Sequence, residues 1–235
     1  MNALWAALGI LPLSLAPWIQ RQFLFEWGEA CKPLWRLPSR GNIALTFDDG
    51  PESDNTPQLL DMLDAYEITA TFFVVGYKAE AHPDLVRRIV ARGHAVGSHG
   101  MTHTPLAFRS RSTYLKEVRE AVIRLEEILG QSVFLFRPPY GIRSPGLYRI
   151  LKTEGLRPVF WDVMAYDWFR PSSSWISSKV VKSVRDGSVV LLHDGGGKRN
   201  NTIHAIPCIA EGIRDRDFDF IGLDDAKDYV IRQIG

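Results

Sequence analysis

The stretch Asn42-Ile43-Ala44-Leu45-Thr46-Phe47-Asp48-Asp49-Gly50-Pro51 runs from apolar residues into two adjacent carboxylates and then a Gly-Pro pair. Its apolar part reads as a short buried strand over 42–47, and Gly50-Pro51 punctuates it, so Asp48 and Asp49 fall at the strand's C-terminal end. In α/β sheets that end is where reactive groups collect. Alone, an Asp pair there also serves ordinary turn hydrogen bonding, and its reading depends on the rest of the chain.

From residue 42 onward strand-like and helix-like segments alternate, the pattern of parallel strands joined by helical crossovers. Strands are expected at 42–47, 69–75, 94–97, 133–136, 158–161, 188–192 and 218–221. Helices are expected at 56–66, 83–92, 112–129, 145–154, 174–184, 203–214 and 223–234. The third helix is the clearest, with Ser112 or Thr113 as N-cap, Leu115, Val118, Val122, Leu125 and Leu129 on one face, and Gly130 as the stop. Seven strands and as many helices point to an α/β barrel, incomplete or distorted, in a single domain over 42–235.

Four more polar clusters follow predicted strands. Ser98-His99-Gly100-Met101-Thr102-His103 carries two imidazoles at i and i+4, which on one helical turn share a face and suit two ligands on one metal. Arg137-Pro138-Pro139-Tyr140-Gly141 follows the fourth strand, and its prolines stiffen the chain so that Arg137 and the Tyr140 amide point in fixed directions. Trp161-Asp162-Val163-Met164-Ala165-Tyr166-Asp167-Trp168 sets an Asp beside aromatics, and Leu191-Leu192-His193-Asp194 ends the sixth strand before a run of three glycines. Parallel strands of a barrel bring such ends to one mouth. A carboxylate pair, two metal-spaced histidines, an Arg, an orienting Asp and a separate His are the parts of metal-assisted hydrolysis. His82, His94 and His204 read as ordinary core or surface residues.

Composition narrows the partners. With 28 basic against 27 acidic side chains the formal net charge is +1, and no basic stripe interleaves with aromatics, so nucleic acid is not an expected partner. Seven Trp and seven Tyr serve a core, and those near polar loops also serve as stacking platforms for sugars. Cys31 and Cys208 form neither a disulfide framework nor a close metal pair; one bridge to the N-terminal arm and two buried free thiols are the two readings. Residues 1–20 lack charge and are rich in Leu, Ala, Trp and Ile, but Pro12 and Pro17 interrupt them. Residues 1–41 thus read as a hydrophobic segment and arm, with membrane anchoring or interfacial insertion through 1–20, a cleaved signal, or packing on the domain as its uses. A spanning segment followed by Arg21, Lys32, Arg36 and Arg40 would leave the domain facing the cytoplasm; a signal would give a secreted form. Either use places the protein in the cell envelope or at a membrane. Oligomeric state is not encoded legibly.

Across about residues 42–230 the five clusters, in this order, resemble the polysaccharide deacetylases, carbohydrate esterase family four. The resemblance is most specific at Thr46 to Pro51, Arg137 to Gly141 and Leu191 to Asp194; Gly100 stands where Ser or Thr is usual, and Met164 where Asp is common. It implies a distorted (β/α) barrel with about seven parallel strands and a divalent metal, zinc first with cobalt, nickel or manganese as alternatives, held by Asp49, His99 and His103. It further implies Asp48 as general base, Arg137 as its partner, His193 as the acid that protonates the leaving amine, and Asp167 as the neighbour of His193. The Tyr140 backbone N–H would stabilise the oxyanion, and Trp168 and Leu191 would receive the acetyl methyl. The substrate implied is an acetylated carbohydrate: N-acetyl groups on amino sugars of a glycan, chitooligosaccharide or lipid-linked sugar. Its alternatives are O-deacetylation of a polysaccharide such as xylan and a non-catalytic carbohydrate-binding relic of the fold.

Overall fold

The structure, a computed structural model, describes residues 33–38, 41–107 and 109–223. Residues 1–20, Cys31 and nearly all of the predicted last helix lie outside them. Among the described residues eight parallel strands form one sheet: β1 (Asn42–Asp48), β2 (Thr71–Val74), β3 (Ala95–Ser98), β4 (Leu135–Phe136), β5 (Arg157–Pro158), β6 (Val163–Met164), β7 (Val189–His193) and β8 (Asp219–Phe220). Their order is β5-β4-β3-β2-β1-β7-β6, and β8 pairs with the start of β1. The two edge strands, β5 and β6, are separated by only residues 159–162, a reach of about 3.5 Å per residue, so the sheet must curl until its edges approach. The predicted strand 158–161 is therefore displaced: pairing takes 157–158 and 163–164, and the intervening residues bridge the gap in the barrel.

Part of the N-terminal arm spans that gap. Leu34 donates to Pro158 and accepts from Phe160, both at 2.8 Å, and Leu37 donates to Gly187 at 2.7 Å. Leu34 and Leu37 are buried with Ala44, Phe73, Leu135, Phe160, Val189 and Leu191 in the inner core. The opposite parity of β1, Ile43, Leu45 and Phe47, joins Phe72, Val74 and the helices in the outer core. Period-two alternation thus decides that Ala44, Thr46 and Asp48 belong to the barrel's inner face.

The helices are α1 (Thr56–Ala65), α2 (Gly76–Ala81), α3 (Pro83–Ala91), α4 (Arg111–Tyr114), α5 (Ala121–Leu129), α6 (Pro145–Thr153), α7 (Ser173–Ser183) and α8 (Asn200–Arg214). The short α2 was not expected from its sequence, whose six residues are too few to show a period. A π-helical stretch, Leu115–Glu120, joins α4 to α5. Their common start is capped by Ser110, whose Oγ accepts from Thr113 N at 3.2 Å, rather than by Ser112 or Thr113. Gly130 ends α5 with φ 66° as expected. Cys208 is exposed on α8, which corrects the buried-thiol reading for that residue. Among the described residues no helix is long and apolar enough to cross a membrane.

Candidate active site

All five clusters meet at the C-terminal ends of the parallel strands. Asp48 closes β1, with Asp49 next to it; His99 follows β3, Arg137 follows β4, Asp167 lies beyond β6, and His193 closes β7. Asp48 and His193 are register partners on adjacent strands, which places the two groups side by side. Four loop residues here, Asp49 (φ 73°), His103 (φ 58°), Tyr140 (φ 59°) and Tyr166 (φ 51°), hold left-handed backbones that non-glycine residues rarely adopt. Such strain persists only where surrounding contacts impose it, as at sites that fix side-chain direction.

Asp49, His99 and His103 each offer a ligand atom, all within 4.8 Å of one another. His103 Nε2 lies 3.0 Å and His99 Nε2 3.4 Å from Asp49 Oδ1, yet that buried oxygen accepts no hydrogen bond. Nδ1 of His99 lies 2.7 Å from the Arg137 carbonyl, which can only accept, so Nδ1 carries the proton and Nε2 keeps its lone pair toward Asp49. Burial works against the Asp49 carboxylate, but His103 and His99 outweigh it and hold it well below the usual carboxylate range. An orphaned carboxylate oxygen facing two imidazole nitrogens is the donor set of a divalent cation, and the residues fit one. The histidines do not share a helical turn as expected. The chain from His99 to His103 is an irregular loop, and its reversal at Gly100 (φ 83°) and His103 brings the rings together at 5.0 Å.

Arg137 is wholly buried and donates from Nη1 to Asp48 Oδ1 at 2.7 Å and to Thr46 Oγ1 at 2.6 Å. Nη2 donates to the Phe160 carbonyl at 3.1 Å, and the guanidinium lies over the Phe73 ring at 4.0 Å. Burial pushes the Arg137 pKa down and Asp48 opposes that shift, but an arginine stays charged regardless. Asp48 is therefore gripped on one oxygen.

His193 Nδ1 lies 2.8 Å from Asp167 Oδ1, and Asp167 Oδ2 accepts from His193 N at 3.0 Å and from Thr202 Oγ1 at 2.9 Å. Burial opposes the imidazolium, yet Asp167 overcomes it and His193 is raised above its ordinary value. For Asp167 burial likewise raises, and the His193 charge and hydrogen bond dominate to lower it. The Trp168 ring stands edge-on to His193 at 5.4 Å, while Leu191 is buried in the inner core. The Tyr140 side chain is 42% exposed and packs edge-on against His103 at 4.5 Å, with Pro138 and Pro139 fixing the turn before it. Met164, at the end of β6, is a buried inner-core residue and brings no charge to this cluster.

Sequence reading passed over Glu117 and named Asp194 only as the end of its cluster, yet both hold these loops. Glu117, buried in the π-helical stretch, accepts from Thr102 N at 2.9 Å and from Thr102 Oγ1 at 2.6 Å, and so clamps the loop between the two histidines. Its signal was an acid on an otherwise apolar helix face, beside Val118. Asp194 is buried beneath the Asp49-Gly50 turn, accepting from Thr56 Oγ1 at 2.6 Å, and burial pushes its pKa up to about 7. A Cβ on Gly50 would come 2.1 Å from Asp194 Oδ2, which makes glycine obligatory there.

Comparison with known proteins agrees with this geometry. Residues 37–159 match the family model described as polysaccharide deacetylase. The chain is 32% identical over 198 residues to a peptidoglycan-N-acetylglucosamine deacetylase of Bacillus cereus, covering 83% of this chain and 92% of the relative. It is 38% identical over 188 residues to a chitooligosaccharide deacetylase of Sinorhizobium fredii, covering 75% and 87%. The crystal structure of the Bc1960 peptidoglycan N-acetylglucosamine deacetylase, bound to 4-naphthalen-1-yl-N-oxidanyl-benzamide, superposes with a TM-score of 0.79 at 29% identity, over 82% of this chain and 91% of that one. The chain belongs to the polysaccharide deacetylase family.

Proposed function

We propose that this protein is a metal-dependent hydrolase that removes N-acetyl groups from amino sugars of a glycan, with zinc as its metal. The carrying observation is the pairing of an orphaned Asp49 carboxylate oxygen and two imidazoles with a separately held Asp48 and His193 on neighbouring strands. Its family and its relatives, deacetylases of peptidoglycan N-acetylglucosamine and of chitooligosaccharide, support an amide rather than an ester as substrate.

Asp49, His99 and His103 would hold the cation. When bound, it polarises the acyl carbonyl and acidifies water. The chain's own groups do the rest. Asp48, with one oxygen fixed by Arg137, accepts the proton of the attacking water at its other oxygen. The Tyr140 N–H is offered to the developing oxyanion. His193, charged because of Asp167 and held at Nδ1, delivers a proton from Nε2 to the leaving amine. Trp168, edge-on to His193, and the buried Leu191 would receive the acetyl methyl.

Residues 1–20, by their composition, would hold the protein at a membrane or carry it to the cell envelope. The deciding experiment measures acetate released from N-acetylated chitooligosaccharide and from O-acetylated xylan, with and without a chelator. Chelator-sensitive release from the amino sugar is expected. Faster release from xylan would favour the esterase, and no release from either sugar by zinc-loaded protein would sink both enzymatic readings. The His99→Ala, His103→Ala double variant should bind no zinc tightly; full zinc occupancy would overturn the ligand assignment.

A further inference from the structure

A cleft of about 330 Å³ borders Asp167 and is lined by Asp167, Arg170 and the run Lys198 to Thr202. It adjoins the group that holds His193 but contains none of the metal-binding residues. Three cations face one carboxylate there, and that carboxylate's two oxygens are already taken by His193 and Thr202.

Arg199 is the informative residue. It is 4% exposed; Nε donates to the Gly195 carbonyl at 2.7 Å and Nη2 to the Gly196 carbonyl at 3.2 Å, while Nη1 is buried without a partner. No acidic side chain among the described residues forms an ion pair with it. Asp167 feels this guanidinium only across a distance, and Asp49 Oδ2 lies 3.2 Å from the Gly196 Cβ position that Arg199 also borders, so Arg199 has no carboxylate in direct contact and keeps an unspent donor at Nη1, a costly arrangement that an anion would relieve. Arg199 is also the N-cap of the fifteen-residue helix α8, whose first turn has no side-chain cap and no acid. The first N–H groups of that turn and the positive end of the helix therefore add to the same site.

Arg170 reaches the cleft from the opposite loop. Its Nη2 lies 2.8 Å from where a Cβ on Gly197 would stand, and Arg199 Nη2 lies 3.1 Å from the Cβ position of Gly196, so both guanidinium groups flank the same glycine loop. Asn201 Nδ2 donates to the Pro171 carbonyl at 2.8 Å and ties the Arg170 loop to the helix. Two guanidiniums, an ammonium and a helix N-terminus around one cleft form an oxyanion receptor.

We propose that this cleft binds an oxyanion, a carboxylate or phosphate, carried by the acetylated glycan close to the amide under attack. The preferred substrate is then an anionic amino-sugar glycan rather than a neutral one. The substrate part rests on the deacetylase reading; the anion site does not.

The test uses zinc-loaded full-length protein and the Arg170→Ala, Lys198→Ala double variant, both substitutions being of exposed side chains. Calorimetric titration with inorganic phosphate should show affinity about tenfold weaker in the variant and falling with salt in the wild type. Phosphate on the metal itself would persist in both proteins, so only the difference counts. Wild type should show a KM about tenfold lower for N-acetylchitooligosaccharide bearing a 6-phosphate or 6-carboxylate than for the neutral oligosaccharide, and the variant should lose this preference with its KM for the neutral sugar unchanged. Preference for only one of the two charged sugars identifies the oxyanion. Equal phosphate affinity in the two proteins overturns the anion site, and equal KM for charged and neutral sugars in wild type overturns its role in substrate choice. Loss of phosphate binding in the variant without acetate release from any sugar would leave the anion site standing and refute the deacetylase reading.

Discussion

Asp48 and Asp49 are chemically identical neighbours with different fates, and the difference comes from backbone direction. Asp48 is the last residue of β1 and points into the barrel, where Arg137 waits; Asp49, at φ 73°, turns toward the two histidines. Asp48→Asn should therefore keep zinc and lose turnover by about 10²–10⁴-fold, because an amide cannot accept the water's proton. Zinc content by elemental analysis, alongside acetate release, checks this, and activity within about tenfold of wild type would point to another base. The pair at His193 gives a pH prediction with a definite sign. Asp167 raises the His193 pKa, and on the proposed mechanism the basic limb of the rate profile should mark loss of that proton. Asp167→Asn should lower the His193 pKa, draw the basic limb to lower pH, and slow turnover at the optimum by releasing the ring. A basic limb that stays in place or moves upward, at saturating zinc, would refute the pairing.

At the scale of elements, the π-helical stretch between α4 and α5 is what positions the histidine loop. An irregular helical turn sets Glu117 against the backbone and hydroxyl of Thr102, in the irregular loop between the two histidines. Glu117→Ala should weaken zinc affinity by about 10–100-fold, the usual cost of losing a group that orients ligands, with helix content unchanged. Competition against a zinc-sensitive dye reads the first and circular dichroism the second. The turn before β3 carries a different device. His94 is buried against Phe72, its Nδ1 3.3 Å from the Ala70 N–H, and burial lowers its pKa to about 4, with Asp64 opposing and Arg92 assisting. Between pH 6.5 and about 4 the unfolded chain takes up a proton that the folded chain refuses, so stability falls as pH falls, by about 3 kcal/mol across that window. His94→Gln should flatten this part of the stability profile. Urea midpoints at pH 7 and pH 4.5 for the two proteins give the comparison, and equal losses would rule the residue out as a source.

For the whole molecule, curling of the sheet converts five separated segments into one site, and the arm at residues 33–38 covers the gap between its edges. Leu34 and Leu37 are as buried as residues of the barrel itself. Deleting residues 1–20 should then leave an active, soluble enzyme, whereas deletion through residue 38 should expose the inner core and cost several kcal/mol of stability, at about 1.5–3 kcal/mol per large apolar side chain. Fractionation and thermal melts of the two truncations check both halves. Full-length protein found wholly in the soluble fraction would count against a membrane role for residues 1–20.

The amino-acid sequence determined the chemistry and the approximate places of its parts. Apolar runs of β-forming residues ending in polar clusters fixed the strand ends, and with them Asp48, Asp49, His99, His103, Arg137, Asp167 and His193 as the groups to be gathered. Gly130 stopped its helix where a left-handed residue was required. Tertiary structure decided how the groups meet. The two histidines converge through a loop with left-handed residues rather than a helical turn, and Glu117, on the following helical segment, holds that loop at Thr102. The strand expected at 158–161 became two short ones because the edges of a curled sheet had to be joined. Arg199 left no mark that a periodic pattern could reveal, and Asp194 was legible as the end of its cluster but not as a buried support: each is a charged residue in a loop or at a helix start, and only folding buries it. Local patterns record which side chain a residue carries and which face it takes, while burial and long-range partners depend on contacts across more than a hundred residues of chain.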